Sequence, residues 1–253
     1  MRPPQRNYAA MKISTDLAAT DRRGMLAQLD PEQWDRLRAL CSDIRNIPPR
    51  TTISVAGEPL DHSLLLLDGI AVRYVGSGPS HRQMVALQVA YDFIDLHALP
   101  LQRLDHDVAT LTSATLAVFP HDALQRLVTE DKELALRLWR MTLIDAAIHR
   151  QWTYRVGGLR ALAGMAHFFC ELDYRLVSSG RGGEDGYRLP LTQLDLGDIV
   201  GISEVHVNRT LRQLREAGLC TFQNGFLQIH DRPGLSRTGH FDASYLYGGD
   251  AVP

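Results

Sequence analysis

The stretch from Leu191 to Gly218, LTQLDLGDIVGISEVHVNRTLRQLREAG, constrains this chain more than any other. Thr192 is a good helix N-cap, and Asp195 three residues on can reach back to it, a looser form of the capping box. Leu196, Ile199 and Val200 follow at helical spacing. Gly201 stops the helix, because glycine enters a left-handed cap at no steric cost. Ser203 then caps a second helix with Val207, Leu211 and Leu214 as its expected buried stripe. Its other faces carry Glu204, His206, Asn208, Arg209, Arg212, Arg215 and Glu216, and Gly218 ends it. In LCTFQNGFLQIHD, which follows, two short runs flank Asn224-Gly225, the strongest short hairpin signal. Two helices across a tight turn, then a hairpin, predict a winged helix, a module that can set the start of its second helix in a DNA major groove. Two short helices around a glycine also occur in ordinary helical proteins. The short turn, the polar N-terminal face and the immediate hairpin favour DNA.

At 253 residues the chain has room for two ordinary domains. Its 45% hydrophobic and 22% charged content is that of a globular protein. No run approaches the ~20 apolar residues of a membrane span. The start, MRPPQRNYAAMKISTDL, has no apolar signal core, so the expected location is the cytoplasm. Cys41, Cys170 and Cys220 are far apart and lack C-x-x-C spacing, which predicts neither a disulfide framework nor a cysteine-held cluster. The net charge of −2 means that DNA affinity must come from local placement, dimerisation and helix N-termini. The winged-helix segment itself sets Arg188, Arg209, Arg212 and Arg215 against Asp195, Asp198, Glu204, Glu216 and Asp231, the main physical weakness of that reading.

Residues 1–24 read as a flexible arm. Asp30-Pro31 opens a helix with Trp34, Leu37 and Leu40 on its apolar side. From Ile47 to about Phe119 short apolar runs alternate with turn residues, predicting an antiparallel β-domain, with Leu64–Leu67 buried on both faces. HDALQRLVTE at 121–130 is a short helix. A long helix then runs from about Lys132 to Tyr154. Leu134, Leu138, Met141, Ile148 and Trp152 recur on it as a coiled-coil seam and are the predicted dimer interface, with Asp145 as a polar break. Leu136, Leu143, Ala147 and Tyr154 mark a second apolar side, so that one side can lie on the β-domain and the other on a partner chain. Gly157-Gly158 is the expected hinge, followed by the helix LRALAGMAHFFCELDYRL. SSGRGGEDG at 178–186 lacks the strand–loop–helix context of a phosphate cradle. Residues 232–253 read as a C-terminal tail.

This order of parts resembles the Crp/Fnr family of bacterial transcription regulators over residues from about 30 to 231. The residues that carry it are ISVAGEPLDHSLLLLDGIAVRY, ALQVAYDFIDLHAL, LRLWRMTLIDAAIHRQW and LPLTQLDLGDIVGISEVHVNRTLRQLREAGL. The resemblance implies an α+β chain: a sensor-like antiparallel β-roll (jelly roll, similar to cyclic-nucleotide-binding domains) at 25–130, a dimerisation helix at 131–156, and a winged helix-turn-helix domain at 157–231. It implies a homodimer that binds double-stranded DNA at a palindromic site, with RNA polymerase as a further partner and no enzymatic activity. In cyclic-AMP-binding members a Gly-Glu pair and an Arg-Ser/Thr pair hold the ribose and cyclic phosphate. Here those regions read Tyr91-Asp92-Phe93-Ile94-Asp95-Leu96 and Asp105-His106-Asp107-Val108. A carboxylate where the arginine should stand repels a phosphate, so no response to cyclic AMP is expected. No cofactor and no metal are expected either; a pair such as Asp95-x-His97 is a weak metal signal. The effector, if there is one, stays unassigned.

The expected DNA contacts are Thr192, Ser203, Glu204, Val205, His206, Asn208, Arg209 and Arg212. Arg209 matches the family's base-contacting arginine, and an arginine can pair with guanine O6 and N7. Glu204 suits cytosine N4 and Val205 a thymine methyl, whereas Ser203, Thr192 and His206 suit phosphate. Arg212 lies one turn on and reaches either the backbone or solvent. The alternative function is a ligand-binding or protein-interaction module whose winged helix docks a protein instead of DNA. An enzyme has no support, since no P-loop, G-x-S-x-G or H-E-x-x-H is present.

Overall fold

The computed structural model describes residues 22–76, 82–183 and 186–248. The expected arm lies almost wholly outside the described residues, as do parts of the loops at 77–81 and 184–185 and the end of the tail. Asp30 caps α1 (Pro31–Arg38) through a full capping box with Gln33, with Pro31 in the first turn. The β-domain follows: β1 (Asp43–Ile47), β2 (Thr52–Ser54), β3 (His62–Asp68), β4 (Ala71–Val75), β5 (Gln83–Gln88), the short α2 (Ala98–Leu101), β6 (Asp107–Thr110) and β7 (Ala114–Pro120). Strands β1, β7 and β3 form an antiparallel sheet in that order, with Asp43 opposite Val118 and Leu64 also opposite Val118. β2 pairs antiparallel with β6 across an irregular register. Then come α3 (His121–Glu130), the long α4 (Lys132–Gly158) and α5 (Ala161–Ser178). The C-terminal part is β8 (Tyr187–Arg188), α6 (Gln193–Val200), α7 (Glu204–Glu216), β9 (Cys220–Gln223), β10 (Phe226–Ile229) and α8 (Arg232–Gly239), ending in a 3₁₀ turn over Ala243–Leu246. The mixed α/β architecture of antiparallel sheets, long helix and C-terminal helix-turn-helix agrees with the expected fold class.

The chain divides into two units, Met1–Ala71 with Gln88–Thr142, and Val72–Leu87 with Leu143–Pro253. In the first, the period-2 alternation of strand side chains splits β3 between two cores. Leu64 and Leu66 pack with Ile94, Leu104, Val108, Leu116 and Val118. Leu65 and Leu67 pack on the opposite face with Trp34, Leu37, Phe93, Phe119 and Leu124. The Leu64–Leu67 run is therefore buried on both faces, as its unbroken apolar sequence predicts.

That second core also contains Leu134, Leu138 and Met141, and Ile148 and Trp152 are buried as well. The side of α4 expected to meet a partner chain is thus buried within its own chain. For Leu134, Leu138 and Met141 the reason is supply: Leu26, Leu29, Trp34 and Leu37 ahead of the strands add apolar surface that packs with them. The outward side carries Leu136, Trp139, Leu143 and Tyr154, with Trp139 60% exposed. Asp145 interrupts the inner stripe because it accepts a 2.6 Å hydrogen bond from the buried Arg73 of β4. One smaller expectation is also corrected. Gly157 and Gly158 form the last turn of α4, and the break falls at Leu159 and Arg160. The tail begins with an ordered helix, α8, because Asp231 accepts from the Gly234 amide, a proline stands in the first turn, and Leu235 is fully buried.

Candidate nucleic-acid interface

The Thr192 Oγ1 accepts from the Asp195 amide at 3.1 Å, and the Asp195 carboxylate accepts from the Thr192 amide at 2.7 Å. This closes the capping box at the start of α6 and consumes the Thr192 hydroxyl, which also donates to Asp195 at 2.7 Å. Gly201 ends α6 at φ +73°, the left-handed position where a Cβ is strained. Gly197 is needed for the same turn, since a Cβ there would stand 2.6 Å from the Ile202 carbonyl oxygen. Ser203 is the N-cap residue of α7, but its side chain makes no capping hydrogen bond. Val207, Thr210 and Leu214 form the buried side of α7, with Leu211 half-buried. Thr210 joins Leu211 in the middle of the expected stripe, since positions 207, 210, 211 and 214 all lie on one helix face.

The opposite face is open. Ser203, Glu204, Val205, His206, Asn208, Arg209 and Arg212 are all exposed, and Val205 is 81% exposed despite being aliphatic. Among the described residues Arg209 has no ion-pair or hydrogen-bond partner. Arg212 does: its Nε donates to Glu216 Oε1 at 2.7 Å, and that bond and charge raise its pKa. Asn208 is also engaged. Its Nδ2 donates to Gln193 Oε1 at 2.6 Å, and Gln193 Nε2 donates in return to Asn208 Oδ1 at 2.7 Å. Asn208 therefore fastens the start of α6 to α7, a positioning role that residue type alone did not signal.

The hairpin turn has Asn224 at φ 53° and Gly225 at φ 67°, the paired positive values of a type I′ turn. Phe226 to Ile229 align with Gln223 to Cys220, and β10 also pairs with β8, so the wing has three strands, one more than its hairpin announces. Between α7 and the wing lies a groove of about 590 Å³. Its lining includes Thr192, Gln193, Asn208, Arg212, Arg215, Gln223 and Asn224, and no carboxylate. Gln193, Arg215, Gln223 and Asn224 were missed from the sequence. Arg215 was within reach, because 208, 212 and 215 share one helix face by spacing.

The acidic residues that seemed to weigh against DNA are mostly turned away from this face. Asp195 is buried in the capping box and Asp231 caps α8. Burial and the nearby Asp195 charge raise the Asp198 carboxyl, with Arg82 opposing. Only Glu204 and Glu216 remain on α7 beside Arg209, Arg212 and Arg215.

In the β-domain the expected phosphate-site residues are turned to other uses. Asp92 accepts from the Val89 amide at 2.9 Å and Asp95 from the Leu64 amide at 2.6 Å. Asp105 bonds His106 Nδ1 at 2.8 Å, and that hydrogen bond lowers its pKa. His97 sits against His106, with ring centroids 5.3 Å apart. Among the described residues no group of three or more His, Cys, Asp or Glu side chains could hold a metal ion. No helix is long and apolar enough to cross a membrane.

Residues 165–238 match the Crp-like helix-turn-helix domain family. Over 207 residues the chain is 20% identical to an anaerobic regulatory protein of Pasteurella multocida (strain Pm70), covering 82% of this chain and 76% of that one. Over 204 residues it is 23% identical to the transcriptional activator protein FnrL of Cereibacter sphaeroides, covering 79% and 81%. Both relatives are regulators and not enzymes. The fold is shared with FixK2 from Bradyrhizobium japonicum, at a TM-score of 0.70 and 20% identity, over 79% of this chain and 98% of that one. Residues 165–238 are thus a Crp-like helix-turn-helix domain, and with the antiparallel sheets and long helix before it the chain is similar to transcription regulators of the Crp/Fnr type.

Proposed function

We propose that this regulator acts as a homodimer on a palindromic DNA site and is not controlled by cyclic AMP. In this reading residues 25–130 are a sensor-like β-roll, 131–156 the dimerisation helix and 157–231 the DNA-binding domain. It works in the cytoplasm, with double-stranded DNA, a second copy of the chain and RNA polymerase as partners. The observation that carries it is the open N-terminal face of α7, where Arg209 is exposed and unpaired among the described residues beside Glu204, Val205 and His206. Arg209, Glu204 and Val205 are assigned to base edges, and Ser203, His206 and Arg212 to phosphates. Thr192, whose hydroxyl is held by Asp195, and Asn208, held by Gln193, are assigned to shaping the site.

The dimer seam is the outward side of α4. Leu136, Leu143 and Arg150 are spaced by seven, and so are Trp139, Ala146 and Thr153, which is a heptad pattern on an exposed face. The absence of cyclic AMP control is supported by Asp105, whose carboxylate stands beside His106 where a cyclic phosphate would need a cation. Selection from random duplexes with the purified full chain tests the reading. A palindrome with half-site centres about 34 Å apart is expected. Failure to enrich any sequence, together with capture of a protein by the same helix face, would favour the protein-docking alternative.

A further inference from the structure

Arg155, in the last turns of α4, is fully buried, with its guanidinium carbon 4.4 Å from the Trp152 ring centroid and 5.3 Å from that of Phe168. A charge in such a place needs a partner with good geometry. The partner is Glu171 of α5, 2% exposed, at 3.4 Å from Arg155 Nη1. That contact is long, and Arg155 Nε and Nη2 make no hydrogen bond among the described residues. Glu171 also meets Arg175 at 3.4 Å. The shortest bond on this carboxylate comes from outside both helices: the Tyr245 hydroxyl donates to Glu171 Oε2 at 2.8 Å.

Tyr245 belongs to a small aromatic cap. Its ring stacks on His167 of α5 at 6.3 Å and 12°, and Phe241 meets the same imidazole edge-on at 5.4 Å. Tyr154 of α4 meets it from a third side at 6.4 Å. Gly239 approaches so closely that a Cβ there would stand 2.5 Å from the His167 backbone nitrogen. The segment after α8 therefore bears directly on α5, through His167 and Glu171, and on α4 through these two side chains, since His167 meets Tyr154 and Glu171 pairs with Arg155. Only Leu159 and Arg160 join these two helices in sequence, and α5 packs against the recognition helix α7.

We propose that residues 241–246 are an intramolecular clamp on the α4–α5 joint and the control point for how the winged helix is held. Closed, the clamp completes the buried Arg155–Glu171 pair and fixes α5, and with it α7, on the end of α4. Open, it leaves that pair short of a donor and frees α5 to pivot about Leu159 and Arg160. The clamp stands on intramolecular contacts alone; its effect on DNA affinity rests on the function proposed above.

Hydrogen exchange on the full chain separates the two. With Tyr245→Ala, amides from 152 to 171 are expected to exchange about tenfold faster while β9 and β10 keep their protection. Tyr245→Phe, which loses only the hydroxyl, should fall between. Unchanged exchange at the joint would overturn the proposal. So would a uniform loss that includes β9 and β10, because the segment would then be ordinary core. These outcomes hold whether or not the chain selects a DNA site, so failure of the regulator reading is seen separately in the wild-type selection. On a selected duplex, Tyr245→Ala should weaken binding about tenfold with base preferences unchanged. Equal affinity of variant and wild type would overturn the control role.

Discussion

Gln193 and Asn208 are paired amide to amide, with hydrogen bonds of 2.7 and 2.6 Å that tie the first turn of α6 to α7. The pair is a side-chain tie between the two helices of the turn. Its effect on DNA binding should be geometric and blind to base identity. Gln193→Ala and Asn208→Ala should each weaken binding by about 0.5–1.5 kcal/mol, the net worth of ordinary hydrogen bonds. The double variant should be little worse than either single one, since each removes the same interaction. Fluorescence anisotropy over a double-mutant cycle measures this. Additive losses would mean that each amide contacts DNA by itself.

The two sides of α4 should respond oppositely to charge. Leu143→Glu, on the outward side, should yield a folded monomer with greatly weakened DNA binding. Met141→Glu, placed in the core with Trp34 and Phe119, should unfold the chain, since an unpaired buried charge costs several kcal/mol. Light scattering with circular dichroism distinguishes them. A Leu143→Glu chain that stays dimeric would move the seam elsewhere.

Acid should loosen the joint through His167. Burial, and next the Arg155 charge, lower its pKa from 6.5 to about 4. The unfolded chain therefore takes up a proton that the folded chain refuses between those values. Stability is full above pH 6.5 and falls as the pH drops from there toward 4, by about 3 kcal/mol at most. His167→Gln should flatten that slope in denaturant titrations at pH 7 and pH 5. An equal slope in both proteins would assign the acid sensitivity to other groups.

Cyclic AMP should neither bind in calorimetry at micromolar concentration nor change affinity for a selected duplex. Asp105→Arg alone should not create a site, because Asp92 and Asp95 are spent on the Val89 and Leu64 amides. Binding by the wild type would mean that the phosphate lies elsewhere in the β-domain.

Features written in local chemistry were legible in the sequence. The Thr192–Asp195 box, the Gly201 turn and the Asn224-Gly225 hairpin depend on neighbours within a few residues, and each is where its residues put it. Features settled by tertiary competition were not. Two apolar stripes run along α4, and the choice between them depended on how much surface Trp34 and Leu37 supply from a hundred residues away. Strand β8 has two residues and no signal of its own, and the Gln193–Asn208 pair joins residues 15 apart that no helical or strand spacing links. The C-terminal cap was hidden because Leu235, Phe241, Tyr245 and Leu246 have no regular period.

The central claim, that α7 reads bases from its open face, is tested most directly at Arg209. The measurement is competitive binding of wild type and Arg209→Ala to a library of single-base-pair variants of the selected site at fixed salt. The expected result is a loss of ~1–3 kcal/mol per half-site concentrated at one symmetric base pair, with preference there relaxed and Arg209→Lys recovering little. An equal loss across every site variant would make Arg209 a phosphate contact and contradict the assignment of α7 as the reader through this residue.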